Sequence, residues 1–187
     1  MEEEKFYHIF NRGNNRENIF KEEENYHYFL KQYEKYLSGA VDTYAYCLMP
    51  NHFHFLVRIK EQAKLESATT MEILRRLTPA EKAFKDFFIS YAKSINKKYN
   101  RTGSLFQYKF KRKPVESQNY LRKLVLYIHQ NPIEAGFCDQ IDEWKFSSFN
   151  SLINNSPSIL KTGEVIDWFE NVENFKYCHK TLQALEI

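Results

Sequence analysis

Apolar and polar residues alternate along three stretches in the first third of the chain, and this pattern predicts β-strands. In a strand, neighbouring side chains point to opposite faces, so a half-buried strand alternates with a period of two. The three stretches are "KFYHIFNRG" (5–13), "TYAYCLM" (43–49) and "HFHFLVRIK" (52–60). Pro50 and Asn51 separate the second stretch from the third and form a turn signal, which predicts a β-hairpin.

Apolar residues at helical spacing predict two helices that flank this hairpin. The first spans residues 22–37, with acidic residues in its first turn and Gly39 as its stop. The second begins at "TPAE" (78–81), which supplies an N-cap, a proline at the first helical position and a capping-box glutamate. Its apolar stripe predicts that it ends near Asn100.

The next two elements are a basic strand and a third helix. "SLFQYKFKRKPV" (104–115) alternates three aromatic residues with polar ones, which predicts a fourth strand with one basic face. Ser117 is a predicted N-cap for the third helix. That helix is predicted to run through Gln130, since Pro132 cannot continue it.

The first six elements follow the order β, α, β, β, α, β, which is typical of the split βαβ, or ferredoxin-like, fold. The sequence therefore predicts an α+β, RRM-like fold with an antiparallel sheet and helices on one face. The helix after Ser117 adds to this core. Residues 144–187 form a tail with helical patches such as "EVIDWFENV" (164–172).

Composition places the chain among globular proteins. It has 187 residues, of which 43% are hydrophobic, enough for one domain with a core and a small appendage. The acidic start "MEEEKFYHIF" is unlike a signal peptide, and no apolar run approaches the roughly 20 residues of a membrane span. Three cysteines at unrelated spacings indicate a reducing compartment. We therefore expect a cytoplasmic protein without a membrane partner.

Basic residues cluster in one part of the chain. The net charge is only +3, but residues 93–123 contain ten basic residues and one acidic residue, Glu116. Such a block is typical of proteins that bind a polyanion. A solvated charged face is the alternative interpretation of the same block.

Two histidines and a tyrosine are candidates for chemistry. His52 and His54 lie two apart in a predicted strand, so both imidazoles face one side of the sheet and could bind a metal. Two surface histidines without a function would give the same pattern. In the third helix, Tyr127 and Asn131 lie one turn apart on a flank of the apolar sector. There the alternative is a boundary tyrosine that only packs its ring.

Four segments resemble the REP-associated tyrosine transposases, which belong to the single-tyrosine HUH transposases. They are "FYHIFNRGNNRENIF" (6–20), "YCLMPNHFHFLV" (46–57), "RTGSLFQYKFKRKPV" (101–115) and "YIHQNPIEAG" (127–136). The resemblance runs in order over about residues 5–150. It implies a transposase domain at residues 1–143 and a helical C-terminal extension at 144–187 packed on that domain. The connection at residues 61–80 is longer than this family's compact core needs.

The resemblance also implies a mechanism. His52 and His54 would be the HUH pair and would hold one Mg²⁺ or Mn²⁺, with Asn131 as a further ligand. Tyr127 would be the nucleophile that cleaves hairpin-associated single-stranded DNA and forms a 5′-phosphotyrosine. No separate general base is evident, since His129, the one candidate, falls near the opposite flank of the apolar sector from Tyr127.

Two groups of residues are predicted to bind the DNA. The DNA itself would be single-stranded or folded into a hairpin, and the resemblance is compatible with a monomer and with a homodimer. The first group follows the basic strand and the second follows the first strand: Lys109, Lys111, Arg112 and Lys113, and then Arg12, Asn14, Asn15 and Arg16.

Three other functions compete with this one. The first is a non-catalytic module with an RRM-like fold that binds hairpin DNA or RNA, which would leave the His52 and His54 pair unexplained. The second is a domesticated transposase that binds hairpins without moving them. The third is a phosphodiesterase that activates water and has no need of Tyr127.

Overall fold

A four-stranded sheet forms the centre of the computed structural model, which describes residues 1–61, 77–107, 109–156 and 158–181. Its strands are β1 (Phe6–Arg12), β2 (Val41–Met49), β3 (His52–Ile59) and β4 (Lys111–Val115). They lie in the order β2-β3-β1-β4, and every neighbouring pair is antiparallel. The predicted α+β class and ferredoxin-like order are confirmed.

Helices α1 (Glu23–Leu37) and α2 (Pro79–Lys98) pack on one face of the sheet. The predicted capping box of α2 is present: Glu81 N donates to Thr78 Oγ1 at 3.2 Å and Thr78 N donates to Glu81 Oε2 at 2.9 Å. Aromatic rings dominate this core, as where Tyr33 of α1 stacks on Phe55 of β3 with ring centroids 4.4 Å apart. The phenylalanines of β3 therefore point away from its histidines.

The second face of the sheet also has helices packed on it. The helices here are α3 (Gln118–Glu134), α4 (Phe149–Ile153), α5 (Thr162–Trp168) and α6 (Val172–Thr181). Leu124 and Ile128 of α3 are fully buried in one cluster with Tyr44 and Leu56 of the sheet. His52 and His54, which share this face of β3 with Leu56, therefore lie toward α3 and not on an open surface.

A buried chain of hydrogen bonds fastens the C-terminal helices to α3. His179 Nδ1 donates to the Phe175 carbonyl at 2.7 Å, so its Nε2 accepts from His129 Nδ1 at 2.9 Å. His129 Nε2 in turn lies 2.7 Å from Ser148 Oγ, which must donate to it. All three side chains are buried, and they hold α6 against the helix that contains Tyr127.

The prediction of a strand at residues 104–115 is wrong for the first part of that range. Strand β4 begins only at Lys111, and before it Phe106 forms a single bridge to Gly13. The consecutive residues Leu105 and Phe106 are both buried, which breaks the alternation of a strand. Lys109 then has a positive φ of 58°, which a strand cannot accommodate. Residue 108, part of the predicted stripe, is outside the described residues.

Helix α3 continues past its predicted end at Gln130, so that prediction is also wrong. Pro132 lies inside the helix, which ends at Glu134. A proline lacks one N–H donor, and near the end of a helix this loss affects a single hydrogen bond. Two backbone hydrogen bonds complete the last turn: Ala135 N donates to the Asn131 carbonyl oxygen and Phe137 N donates to the Pro132 carbonyl oxygen, each at 2.9 Å.

Some expectations concern other parts of the chain. Cys47, Cys138 and Cys178 are all free, as expected. Within the described ranges, no helix is long and apolar enough to cross a bilayer. Most of the connection at residues 61–80 is outside the described part of the chain, and the domain boundary at residue 143 stays a prediction.

Gly13 joins β1 to a short 3-10 helix, Asn14–Arg16, at a point where no side chain fits. A Cβ atom at Gly13 would lie 2.0 Å from the Glu17 backbone oxygen. We expect Gly13→Ala to lower the free energy of unfolding by about 1–3 kcal/mol, because the loop must move to relieve the overlap. Urea unfolding measures this, with Gly39→Ala as the control, since a Cβ there meets nothing within 4 Å. Equal stability of both variants would contradict the prediction.

Candidate active site

A cavity of about 300 Å³ opens where β1, β3 and α3 meet. Its lining contains two cationic side chains, three amides and two imidazoles, and none of these lining residues has a carboxylate. The lining residues are Phe10, Asn11, Arg12, His52, His54, Gln107, Lys111, Tyr127 and Asn131. Donor groups and positive charge without a carboxylate favour a bound anion such as a phosphodiester.

Hydrogen bonds orient both histidines of β3. His52 Nδ1 lies 2.6 Å from Asn51 Oδ1, and the Asn51 amide nitrogen faces the Arg16 carbonyl. An amide oxygen only accepts, so the hydrogen of His52 is on Nδ1 and the lone pair is on Nε2. His54 Nδ1 lies 2.8 Å from the Nε2 atom of His8 on the neighbouring strand. Both histidines thus have Nδ1 engaged within the protein.

The imidazoles at this site are neutral at pH 7. Burial, together with the charge of Arg12, lowers the pKa of His52 to about 4. Burial lowers the pKa of His54 well below its ordinary value, with smaller contributions from His8, His52 and Arg12. Burial and the charge of Lys113 lower the pKa of His8 to about 4. A neutral imidazole is the form that binds a metal, because it retains a lone pair.

Helix α3 places Tyr127 and Asn131 on the opposite wall of the cavity from the histidines. The Tyr127 ring meets the His54 ring nearly edge-on, with centroids 5.6 Å apart and planes at 87°. One turn later, Asn131 Nδ2 donates to the Tyr127 carbonyl at 2.7 Å, which leaves its Oδ1 available to a ligand. The structure therefore brings His52, His54, Tyr127 and Asn131 together around one cavity.

The side chains that line the cavity include donors for the divalent cation that the resemblance implies. No three His, Cys, Asp or Glu side chains cluster as a metal site in the described part of the chain. What the cavity offers is two imidazole nitrogens, from His52 and His54, and the amide oxygen of Asn131. This set fits a divalent cation that keeps open positions for oxygen ligands. Because all three donors are neutral, an anionic substrate would strengthen the binding of the cation.

The predicted basic group of β4 is divided between the two faces of the sheet. Lys111 lines the cavity, with its ammonium 5.8 Å from the centre of the Phe10 ring. Lys113 lies on the same face, with its ammonium 5.2 Å from the centre of the Tyr120 ring. Arg112 points to the other face and forms an ion pair with Glu81 of α2. Lys109 is exposed and lies before the strand.

The predicted group after β1 is divided as well. Arg12 lines the cavity, whereas Asn14, Asn15 and Arg16 are not among its lining residues. The side chains of Asn15 and Arg16 are exposed, and Asn14 is half-buried. This loop still lies close to the site, because the Arg16 carbonyl accepts from Asn51, the neighbour of His52.

Sequence reasoning missed His8, Asn11 and Gln107. His8 had a detectable signal: the period of β1 places it on the same face as Arg12, and the ferredoxin-like order places β1 beside β3. Asn11 projects from β1 to the opposite face from His8, and Gln107 lies in the irregular segment before β4. The sequence therefore contained no signal for either residue. His129 is buried in the network with His179, so it is not at the cavity.

Comparison with known proteins identifies a family that this chain matches over most of its length. The family model described as "Transposase IS200 like" matches residues 3–131, a range that includes His52, His54, Tyr127 and Asn131. A Haemophilus influenzae protein, provisionally named a REP-associated tyrosine transposase, is 22% identical over 117 residues. That match covers 58% of this chain and 59% of the relative, so the chain spans about three fifths of the relative's length.

Among solved structures, a REP-associated tyrosine transposase bound to a REP hairpin aligns with a TM-score of 0.60 and 15% identity. The alignment covers 88% of each chain, and at this identity the likeness concerns the fold. A bacterial tRNA(His) guanylyltransferase-like protein bound to GTP aligns with a TM-score of 0.44 and 11% identity, over 72% of this chain and 67% of that chain. That second likeness is too weak to support an inference.

Proposed function

This chain belongs to the IS200-like transposase family, and from that premise we propose that it cleaves and rejoins single-stranded DNA beside a hairpin through a covalent bond to Tyr127. The observation that supports this most strongly is the composition of the cavity. A tyrosine, two neutral imidazoles and two cations surround a space with no carboxylate among its lining residues. A phosphodiester is the substrate class that such a site favours.

Tyr127 would attack the scissile phosphorus and form an oxygen–phosphorus bond as the bond to the 3′ oxygen breaks. The phenol loses its proton to solvent, and the departing 3′ oxygen takes one up. The products are a 5′-phosphotyrosine and a free 3′-OH. Since the phosphotyrosine is itself a phosphodiester, a 3′-OH can attack it and rejoin the strand without ATP. This is strand transfer and not hydrolysis.

The other cavity residues would orient the phosphate and offset its charge. Arg12 and Lys111 supply the positive charge, and they approach the cavity from β1 and β4. His52, His54 and Asn131 would hold Mg²⁺ or Mn²⁺. When bound, the cation supplies Lewis-acid stabilisation of charge on the phosphate. The hydrogen bond from Asn131 Nδ2 to the Tyr127 carbonyl oxygen fixes the position of the Asn131 side chain relative to Tyr127.

The DNA would approach along the site face of β4. Lys111 and Lys113 lie on this face, each near an aromatic ring, and this combination is typical of surfaces that bind single strands. The similar solved structure contains a REP hairpin, which supports a hairpin as the form of the substrate. We propose that the protein acts in the cytoplasm, and the free cysteines support a reducing compartment of that kind.

Replacing the two site-face lysines tests this path. We expect Lys111→Gln/Lys113→Gln to weaken hairpin DNA binding and to make the slope of log affinity against log salt shallower by roughly 1.4, or about 0.7 per lost phosphate contact. Arg112→Gln is the matched control, because Arg112 pairs with Glu81 on the opposite face. Fluorescence anisotropy over a salt series measures both. A slope that changes as much in the control would contradict this path.

The function itself is tested with labelled single-stranded hairpin DNA taken from the sequence that flanks the gene. The DNA is incubated with the protein and Mn²⁺ or Mg²⁺ and analysed on a denaturing gel. We expect a metal-dependent band in which the label comigrates with the protein. Binding without any adduct would instead support a non-catalytic hairpin-binding module, and release of cleaved DNA without an adduct would support a phosphodiesterase.

A further inference from the structure

His8 of β1 is a buried histidine whose ring lies against that of His54. Its Nε2 atom is 2.8 Å from His54 Nδ1, and the two rings lie edge to edge, with centroids 5.0 Å apart and planes only 23° from parallel. The contact is diagonal across the strand pair, because the residue directly opposite His54 is Phe10. Phe10 stacks on both rings, with its centroid 4.6 Å from that of His8 and 5.7 Å from that of His54, and confines them. His8 itself does not line the cavity.

The two nitrogens are placed for a hydrogen bond with each other, since their separation of 2.8 Å falls in the range of a hydrogen bond. His8 does not line the cavity in which His52 and His54 would hold the cation. His8 is therefore a neighbour of the ligand set and not a member of it.

Only one direction of this hydrogen bond leaves His54 able to bind a metal. If His8 Nε2 donated, His54 would accept through Nδ1, and its own hydrogen would occupy Nε2. If His54 Nδ1 donates, its Nε2 has a free lone pair. Asn51 imposes this second arrangement on His52, because its Oδ1 can only accept from His52 Nδ1. Metal-binding histidines commonly donate their second N–H to such a partner.

We propose that His8 is a positioning residue for the metal site: its Nε2 accepts from His54 Nδ1 and thereby holds the His54 ring with its Nε2 lone pair free for the metal. This inference rests on the proposed function, since it assumes that His52 and His54 hold a divalent cation. Asn51 in the β2–β3 turn and His8 on the adjacent strand then have the same task for the two ligands.

Two variants of His8 separate this role from simple packing. His8→Leu fills the space but has no acceptor, whereas His8→Gln restores an oxygen acceptor near the position of Nε2. We expect His8→Leu to weaken Mn²⁺ binding by about 10- to 100-fold, and His8→Gln to recover most of that loss. His27→Gln is the control, because His27 is exposed on α1. Circular dichroism confirms that each variant is folded.

The readouts do not depend on DNA cleavage. Electron paramagnetic resonance of free Mn²⁺ gives the affinity, and nitrogen-15 chemical shifts of His54 give its tautomer in the metal-free protein. Hydrogen on Nδ1 of His54 in the wild type, with its loss in His8→Leu, supports the inference. Hydrogen on Nε2 in the wild type, or unchanged Mn²⁺ affinity in His8→Leu, overturns it and leaves the proposed function intact. A wild type that binds no Mn²⁺ overturns both the inference and the metal requirement of the proposed function.

Discussion

Tyr127→Phe lowers the yield of the covalent protein–DNA adduct by roughly 10⁴-fold or more, while the affinity for the hairpin changes little. The variant loses only the attacking oxygen, and loss of a nucleophile is among the largest effects known for a single residue. The ring of Tyr127 packs against His54 and against the buried apolar cluster that contains Leu124 and Ile128, and phenylalanine keeps that packing. Quantitative denaturing gels measure the adduct, and anisotropy on the same preparations measures binding.

Tyr120→Phe is the matched control for this variant. Tyr120 lies on the same helix, two turns before Tyr127, and it packs against Lys113. Its buried hydroxyl has no hydrogen-bond partner in the described part of the chain, so its removal costs the fold little. Tyr120→Phe should therefore form the adduct as the wild type does. An adduct that persists in Tyr127→Phe and disappears in Tyr120→Phe would contradict this prediction and would identify Tyr120 as the nucleophile.

The second large effect is expected from His52→Ala/His54→Ala. The two substitutions of this double variant each remove an imidazole nitrogen from the proposed cation site, and together they leave only Asn131 as a donor from the protein. We expect the adduct yield to fall by about 10³-fold or more, because the charge stabilisation that the cation supplies is worth several kcal/mol. Mn²⁺ binding, measured by electron paramagnetic resonance, should be lost together with the adduct.

Burial of His54 makes a control for folding necessary in this experiment. His54→Gln alone keeps most of the side-chain volume and is expected to be folded, but it lacks the imidazole. His27→Ala removes an exposed histidine of α1 and should alter neither Mn²⁺ binding nor the adduct. If the double variant is folded and still forms the adduct with Mn²⁺, the histidines are not the metal site.

Neutral imidazoles and cationic side chains have complementary tasks in this cavity. Burial keeps His52 and His54 uncharged, as their lowered pKa values indicate, and Arg12 adds to that effect. The same Arg12, with Lys111, provides the positive charge that a phosphate requires. A cation held by neutral donors keeps its full charge, so the metal and the phosphate would each strengthen the binding of the other.

The C-terminal helices lie beyond the family match, which ends at Asn131, but they contribute to the site indirectly. Through His179 they contact His129, which is two residues after Tyr127 on α3. Phe175 and Phe169 add apolar contacts in the same cluster as Ile128. The tail therefore supports the helix from which Tyr127 projects.

The sequence predicted most of the fold because periodicity and caps agree with the tertiary structure over β1 to α2. It failed at β4, where the burial of both Leu105 and Phe106 interrupts the alternation, and at the end of α3, where Pro132 falls in the last turn. The exception at β4 depends on burial that a local pattern does not specify. The exception at α3 is local, because a proline near the end of a helix removes a single hydrogen bond.

The candidate site was predictable only in part. His52 and His54 share a face because a strand alternates, and Tyr127 and Asn131 share a flank because a helix turns. The two pairs face one another only because α3 crosses the second face of the sheet. The periodicity of the sequence does not specify where α3 packs. His8 had a signal in the period of β1, but its contact with His54 required the register of β1 on β3, and the ion pair of Arg112 with Glu81 required the packing of α2 on the sheet.

The most direct test of the central claim is to identify the tyrosine that becomes joined to DNA. Trypsin cleaves after Lys123 and Lys145, so the peptide 124–145 contains Tyr127 as its only tyrosine. The wild-type adduct is digested with trypsin and nuclease, and tandem mass spectrometry locates the remaining nucleotide. We predict a nucleotide joined through its 5′ phosphate to peptide 124–145. A nucleotide on any of the other tyrosines among the thirteen in the chain would contradict the account.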